Sequence, residues 1–220
     1  MTRVRLCIGL ALVTALVACG GPSPTPKPAC PGAAPTDLEA QAVLADADRA
    51  LVKTNKGEFT VDLYGDAAPI ATANFVTLAR CGFYDGISFH RVLAGFVIQA
   101  GDPQTKENHG DFEGLGTGGP GYDFGIEPPA GNLNYDQYVV AMANSGEPNS
   151  NGSQFFIDLA DLNGRLTRTY TIFGKVVDGT DVIDKIGALP VNDPRIGVPL
   201  DPAIIESVTI EPPPAASPSS

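Results

Sequence analysis

The run Phe89-His-Arg-Val-Leu-Ala-Gly-Phe-Val-Ile-Gln-Ala-Gly-Asp102 reads as two short apolar strands joined at Ala94-Gly95. Period-two alternation puts Phe89 and Arg91 on one face of the first strand, and Val97 and Gln99 on one face of the second. An arginine and a glutamine among so many hydrophobes need partners or a task, because a polar group taken from water without a hydrogen bond is costly. The rival reading is an arginine on a sheet edge whose guanidinium reaches back to water. Within this stretch the two readings stand level.

Composition narrows the class. The chain has 220 residues, 43% hydrophobic and 18% charged, enough for one domain with a full core plus non-globular ends. A net charge of -11 argues against nucleic acid as a partner, since phosphate backbones are bound by clustered Lys and Arg. Twenty-five glycines and 20 prolines beside 7% aromatics imply many turns, hence a mainly β fold rather than a helical bundle.

Arg3 and Arg5 precede an apolar run from Leu6 to Val17, too short to span a bilayer but suited to the core of an export signal. Leu16-Val-Ala-Cys19 resembles a bacterial lipobox, which implies a signal peptide over 1–18, a lipid on Cys19 and an extracytoplasmic domain tethered to a bacterial membrane. Two readings then stand for Cys30 and Cys81: a disulfide tying the linker to the domain, or a separate Cys81 thiol buried at a helix end. Residues 19–48 form a Pro/Ala-rich linker with a short helix over 36–48, capped by Thr36 or Asp37. The domain occupies 49–211, and the Pro/Ala/Ser-rich tail 212–220 is expected to be disordered.

Within the domain, Leu51–Thr54 and Glu58–Leu63 alternate about a Gly-containing turn, the pattern of a hairpin. Pro69 opens a helix that runs to Gly82. From Asp102 to Gly131 the chain is a glycine-rich surface loop; Gly116-Thr-Gly-Gly-Pro-Gly121 satisfies GxGxxG, but no strand precedes it and no helix opens within it, so it is not a dinucleotide site. Tyr138–Met142 and Phe155–Leu159 read as strands flanking a polar loop.

Taken together, Phe89-His-Arg, Gly95-Phe96, Gln99-Ala-Gly-Asp102, Gly118-Gly-Pro-Gly121, Met142-Ala-Asn144, Asn151-Gly-Ser-Gln-Phe-Phe-Ile157 and Phe173-Gly-Lys-Val176 resemble the cyclophilin family of peptidyl-prolyl cis-trans isomerases over about Ala50 to Glu211. The resemblance implies a closed eight-stranded antiparallel β-barrel capped by two α-helices, with Asp181–Ala188 as the second helix and Ala203–Ile210 as the last strand. It also implies a site on the barrel's outer face, with Arg91 and Gln99 catalytic and Phe96, Val97, Ala143, Asn144, Gln154, Phe156, Leu166 and Tyr170 binding substrate. Its partners would be proline-containing segments of exported proteins, met by a monomer using no cofactor and no metal.

The chain departs from the family pattern where methionine is common after the pocket phenylalanine and this sequence has Val97, and where tryptophan and histidine are usual and it has Arg165 and Tyr170. Thr105–Phe112 looks inserted, a surface loop carrying a solvated His109. His90, out of phase with Arg91, is expected as a hydrogen-bonded residue inside the barrel. Two histidines without a paired-cysteine motif do not make a zinc site. A second function stays open on this evidence of residues alone: a proline-peptide-binding chaperone module with little turnover.

Overall fold

The computed structural model describes residues 26–110 and 113–213. The expected signal segment 1–18, Cys19 and the tail from 214 onward lie outside the described residues, within which no helix is long and apolar enough to cross a membrane.

The hairpin forms as its alternation requires. Strand β1 (Arg49–Thr54) pairs antiparallel with β2 (Gly57–Leu63), from Arg49 opposite Asp62 to Thr54 opposite Gly57. Ala50, Val52, Phe59 and Val61 point into the core while Lys53 and Glu58 face water. Helix α2 (Pro69–Arg80) begins with proline at its first turn but has no side-chain cap of its own. Its cap comes from a distant loop: the Glu127 carboxylate accepts hydrogen bonds from the Ile70 and Ala71 backbone N–H at 2.9 and 2.8 Å. An anion at a helix N-terminus satisfies free donors and meets the positive end of the helix dipole.

Six further strands follow: β3 (Arg91–Leu93), β4 (Val97–Ala100), β5 (Val139–Met142), β6 (Phe155–Asp158), β7 (Ile172–Asp178) and β8 (Ile205–Glu211). Together they make one antiparallel sheet in the order β3-β4-β6-β5-β7-β2-β1-β8. The sheet curls into a half-barrel around a core in which Phe75 of α2 meets Tyr84, Phe155 and Phe173 at ring distances of 5.0, 5.7 and 5.2 Å. A later helix, α3 (Thr180–Gly187), buries Val182, Ile183 and Ile186.

Two expectations need correction. The barrel is not closed by a continuous ladder: β3 and β8 are the sheet's ends, and β3 is only 3 residues long. The chain ahead of each meets instead through an isolated bridge, Ser88 to Ile204, flanked by Phe89 N–H to Ala203 O at 2.8 Å. In addition, Phe89 and Arg91 do not share a face. Phe89 is fully buried in the main core whereas Arg91 is half-buried, and regular strand begins only at Arg91, so the two-residue alternation does not extend back to Phe89.

The short helix expected over 36–48 forms as α1 (Asp37–Leu44), which with α2 and α3 makes three α-helices among the described residues. A reciprocal capping box starts it: Thr36 N–H donates to Glu39 Oε2 at 2.8 Å, and Glu39 N–H donates to Thr36 Oγ1 at 3.4 Å. The helix lies against α2, and just beyond its end the Arg80 guanidinium donates to Asp46 Oδ1 at 2.6 Å.

Ahead of α1 the chain is tied down as well. Cys30 and Cys81, 51 residues apart, form a disulfide, and Lys27 pairs with Asp85 beside it. Cross-linking a loop of this length restricts the unfolded chain. The double variant Cys30→Ser/Cys81→Ser is therefore expected to lose about 2–4 kcal/mol of unfolding free energy. Urea titration of the oxidised wild type beside the variant measures this, and equal midpoints would show that the bridge adds nothing.

Candidate active site

Alternation along the central strands sorts side chains into two clusters. Phe155 and Ile157 of β6 face the main core, while Phe156 faces outward into a second cluster with Val97, Ala141, Leu162 and Ile172. Phe96, Ala143, Leu166 and Tyr170 pack against that outer cluster. The Phe156 and Tyr170 rings meet edge to face with centroids 5.4 Å apart. The result is an apolar patch on the outer face of the sheet, with half-buried aromatic edges.

Arg91 stands beside this patch. It pairs with Gln99 across β3 and β4, and Gln99 pairs with Phe156 across β4 and β6. The Arg91 guanidinium donates to Gln99 Oε1 at 3.3 Å, Gln99 Nε2 donates to Gln154 Oε1 at 2.9 Å, and Gln154 Nε2 donates to the carbonyls of Gly116 and Gly118 at 2.9 and 2.8 Å. Because the glycine carbonyls can only accept, Gln154 must present its nitrogen to them and its oxygen to Gln99, which leaves the Gln99 oxygen for Arg91. Burial lowers the Arg91 pKa, with the nearby Tyr170 opposing the shift.

A groove of about 620 Å³ continues from Gln99 along Gln154, Ala143 and Asn144. The Asn144 side chain is pinned by donating to Thr169 O at 3.0 Å, so its backbone borders the groove in a set position. Phe96, Phe156, Leu166 and Tyr170 do not line this groove; they belong to the apolar patch, in which Phe156 is the cross-strand neighbour of Gln99.

The family description Cyclophilin type peptidyl-prolyl cis-trans isomerase/CLD matches residues 49–210. The chain belongs to this family. It is 42% identical over 180 residues to peptidyl-prolyl cis-trans isomerase B of Streptomyces anulatus, covering 74% of this chain and 95% of that protein. To the peptidyl-prolyl cis-trans isomerase of Helicobacter pylori strain 26695 it is 42% identical over 145 residues, 65% of this chain and 82% of the relative. Among solved structures, a cyclophilin type isomerase of Cryptosporidium parvum superposes with a TM-score of 0.67 at 33% identity, covering 76% of this chain and 99% of the other. A second structure of that protein, described as in the presence of the dipeptide Ala-Pro, gives 0.65 at 34% identity, with 74% and 98% covered.

In this cyclophilin the ten residues singled out from sequence lie around one continuous surface. The departures from the family pattern lie there as well. Val97 is buried in the patch floor, and Arg165 lies over the Phe96 ring at 5.1 Å while donating to Gly95 O at 3.3 Å.

Other residues of the surface were not singled out. Tyr135 is buried beneath the patch and its hydroxyl donates to Thr167 O and Tyr170 O at 3.1 and 2.9 Å, fixing the loop that carries Leu166 and Tyr170. The glycine-rich loop, read as plain surface, supplies the carbonyls that orient Gln154. Thr105, assigned to the inserted surface loop, is buried and donates to Asp102 O at 2.7 Å within a short 3-10 turn. His90 is buried, and it borders a cleft beside Arg91.

Asp158 is the unexpected group. It pairs with Val97 across the ladder, is fully buried, and neither carboxyl oxygen has a hydrogen-bond partner. Burial, helped by the charge of Asp136, pushes its pKa up to about 8. Burial also pushes His90 down to about 4, with Asp102 opposing the shift and Arg91 reinforcing it.

The two act on stability with opposite signs. Between about pH 4 and 8 folded Asp158 keeps a proton that the unfolded chain has released, so its effect is a loss of stability as pH rises. Between about pH 6.5 and 4 the unfolded His90 takes up a proton that the folded one does not, so its effect is a loss as pH falls. Below pH 6.5 these slopes offset, and above it the Asp158 slope is unopposed. At about 1.36 kcal/mol per pH unit, wild type should lose about 2 kcal/mol relative to Asp158→Asn between pH 6.5 and 8. Denaturant unfolding of both proteins across this window checks the difference, and parallel pH profiles would contradict the protonated state of Asp158.

Proposed function

We propose that this chain accelerates cis-trans isomerisation of Xaa-Pro bonds in exported proteins, through a non-covalent mechanism centred on Arg91. The observation that carries the reading is the apolar patch of Phe96, Phe156 and Leu166 set beside a guanidinium held by a directed hydrogen-bond chain. Family membership supports the same reaction class.

The bond before proline is planar by resonance, and its rotation barrier is about 18–20 kcal/mol. As the bond twists, the nitrogen lone pair localises and becomes a hydrogen-bond acceptor. A guanidinium placed to donate to that nitrogen stabilises the twisted state more than the planar one, and such selective binding is what speeds a reaction. Arg91 supplies this donor. Its own hydrogen-bond acceptor is a neutral amide and not a carboxylate, so its charge stays available to the substrate.

Phe96, Phe156 and Leu166, with Val97 beneath and Tyr170 at the edge, hold the pyrrolidine ring. The Asn144 backbone and Ala143 border the residue before proline, and Gln99 holds the other flank while orienting Arg91. Gln154 acts through Gln99. One side of the bond is thereby fixed while the other turns. No cofactor, metal or covalent intermediate is needed.

Arg91→Ala is expected to lower kcat/KM on a proline tetrapeptide by about 100-fold or more while leaving peptide affinity and circular dichroism nearly unchanged. Turnover within twofold of wild type would remove Arg91 from the mechanism. The same pair of proteins separates an enzyme from a proline-peptide-binding chaperone module, which would bind the peptide equally well and turn it over no faster than buffer.

The basic-apolar N-terminus and Leu16-Val-Ala-Cys19 support a site of action outside the cytoplasm, on a bacterial membrane, with a lipid on Cys19. Radiolabelled palmitate fed to bacteria expressing the full chain should enter the protein, and Cys19→Ser should abolish the label and move the protein from the membrane fraction. Equal labelling of the variant would overturn the assignment.

A further inference from the structure

A second cleft, of about 360 Å³, adjoins the main groove and shares Gln99 and Gly116 with it. It is lined by Arg91, Gln99 and Gly116 and by Arg195 and Ile196, from the connection between α3 and β8.

That connection is held in place. Val92 N–H of β3 donates to Gly197 O at 2.7 Å, and Gly197 N–H donates to Asp193 O at 2.8 Å. Gly197 has φ +86, and a Cβ there would stand 2.5 Å from Val92 O, so only glycine allows the loop to lie this close to the strand. The Asp193 carboxylate receives Arg195 Nε at 3.2 Å and a terminal nitrogen at 2.7 Å, which orients the guanidinium. The Arg195 side chain is nonetheless 89% exposed, and Ile196 next to it is 53% exposed.

The charge balance of this cleft runs against that of the whole chain. The net charge of the protein is -11, yet Arg91 and Arg195 both line this cleft, and Asp193 engages only Arg195. Arg91 has a neutral partner. With the residue before proline bordered by Asn144 in the main groove, a bound segment that continues past Arg91 enters this second cleft. An extended segment advances about 3.3 Å per residue, so a cleft bordered by Arg91 is within reach of the first or second side chain after proline.

We propose that the Arg195 cleft is a subsite for an acidic side chain one or two residues after the proline, and that Arg195 sets this preference. The inference rests on the isomerase reading for the direction of the bound segment. The attraction acts on binding and not on the rotating bond, so it belongs in affinity and KM and leaves kcat alone. Because the site is open to water, the expected gain is modest and sensitive to salt.

The test uses the pentapeptides Ala-Ala-Pro-Glu-Phe, Ala-Ala-Pro-Gln-Phe and Ala-Ala-Pro-Lys-Phe with wild type, Arg195→Gln and Arg195→Lys. Dissociation constants come from NMR titration, and turnover from exchange spectroscopy on the same samples. Wild type should bind the Glu peptide about three- to tenfold more tightly than the Gln peptide and the Lys peptide most weakly, with the spread shrinking at high salt. Arg195→Gln should erase the Glu preference while handling the Gln peptide like wild type, and Arg195→Lys should keep part of it. Equal binding of Glu and Gln peptides by wild type, or a Glu preference that survives in Arg195→Gln, overturns the proposal. Absence of turnover on every peptide would instead defeat the isomerase reading, while the affinity ratios would still decide the subsite.

Discussion

Two adjacent phenylalanines on one central strand connect the stability of this protein to its working surface. Phe155 points inward, where its ring meets those of Phe75, Tyr84, Phe89 and Phe173. Phe156 points outward, onto Val97 and Tyr170. The pleat imposes this division, since neighbouring side chains of a strand take opposite faces. A register slip of one residue would move Phe156 into the core and Phe155 onto the surface, so the burial that stabilises the sheet also fixes the position of the patch.

Rigidity at the surface depends on polar groups with few alternatives. Gln154 meets two glycine carbonyls, and this direction passes through Gln99 to Arg91. The glycine-rich loop that offers those carbonyls is itself folded around Asp102, which is fully buried and accepts from Gln104 N–H at 2.9 Å and Gly116 N–H at 2.7 Å. A Cβ on Gly118 would stand 2.1 Å from Asp102 Oδ1, so the loop can close over the aspartate only with glycine at that position. What reads locally as flexible chain is a support for the arginine two strands away.

The same surface carries a buried acid beside its floor residue Val97 and a cleft lined by two arginines. Asp158 sits beside Val97 across the ladder, and its burial pushes its pKa up to about 8 because a neutral acid costs far less to bury than a charged one. Beyond the sheet, α1 and the Cys30–Cys81 bridge fasten the preceding segment onto α2. The bridge and α1 thus extend the ordered structure ahead of the 49–210 region shared with the family.

The sequence by itself determined the strand-rich class, the hairpin over 51–63, the helix opening at Pro69 and the family, because each rests on local periodicity, turn chemistry or motifs whose residues lie close along the chain. It also named residues that the fold assembles around one surface, through resemblance and not through geometry. Tertiary structure alone decided the rest. The pairing of Cys30 with Cys81, the open edge between β3 and β8, the inward turn of Phe89, the Glu127 cap on α2, and the cleft that Arg195 and Arg91 both line each depend on segments far apart in the chain. Such contacts leave no periodic trace in sequence. The buried state of Asp158 is of the same kind, since an aspartate ending a strand reads as solvated until the layer that covers it is known.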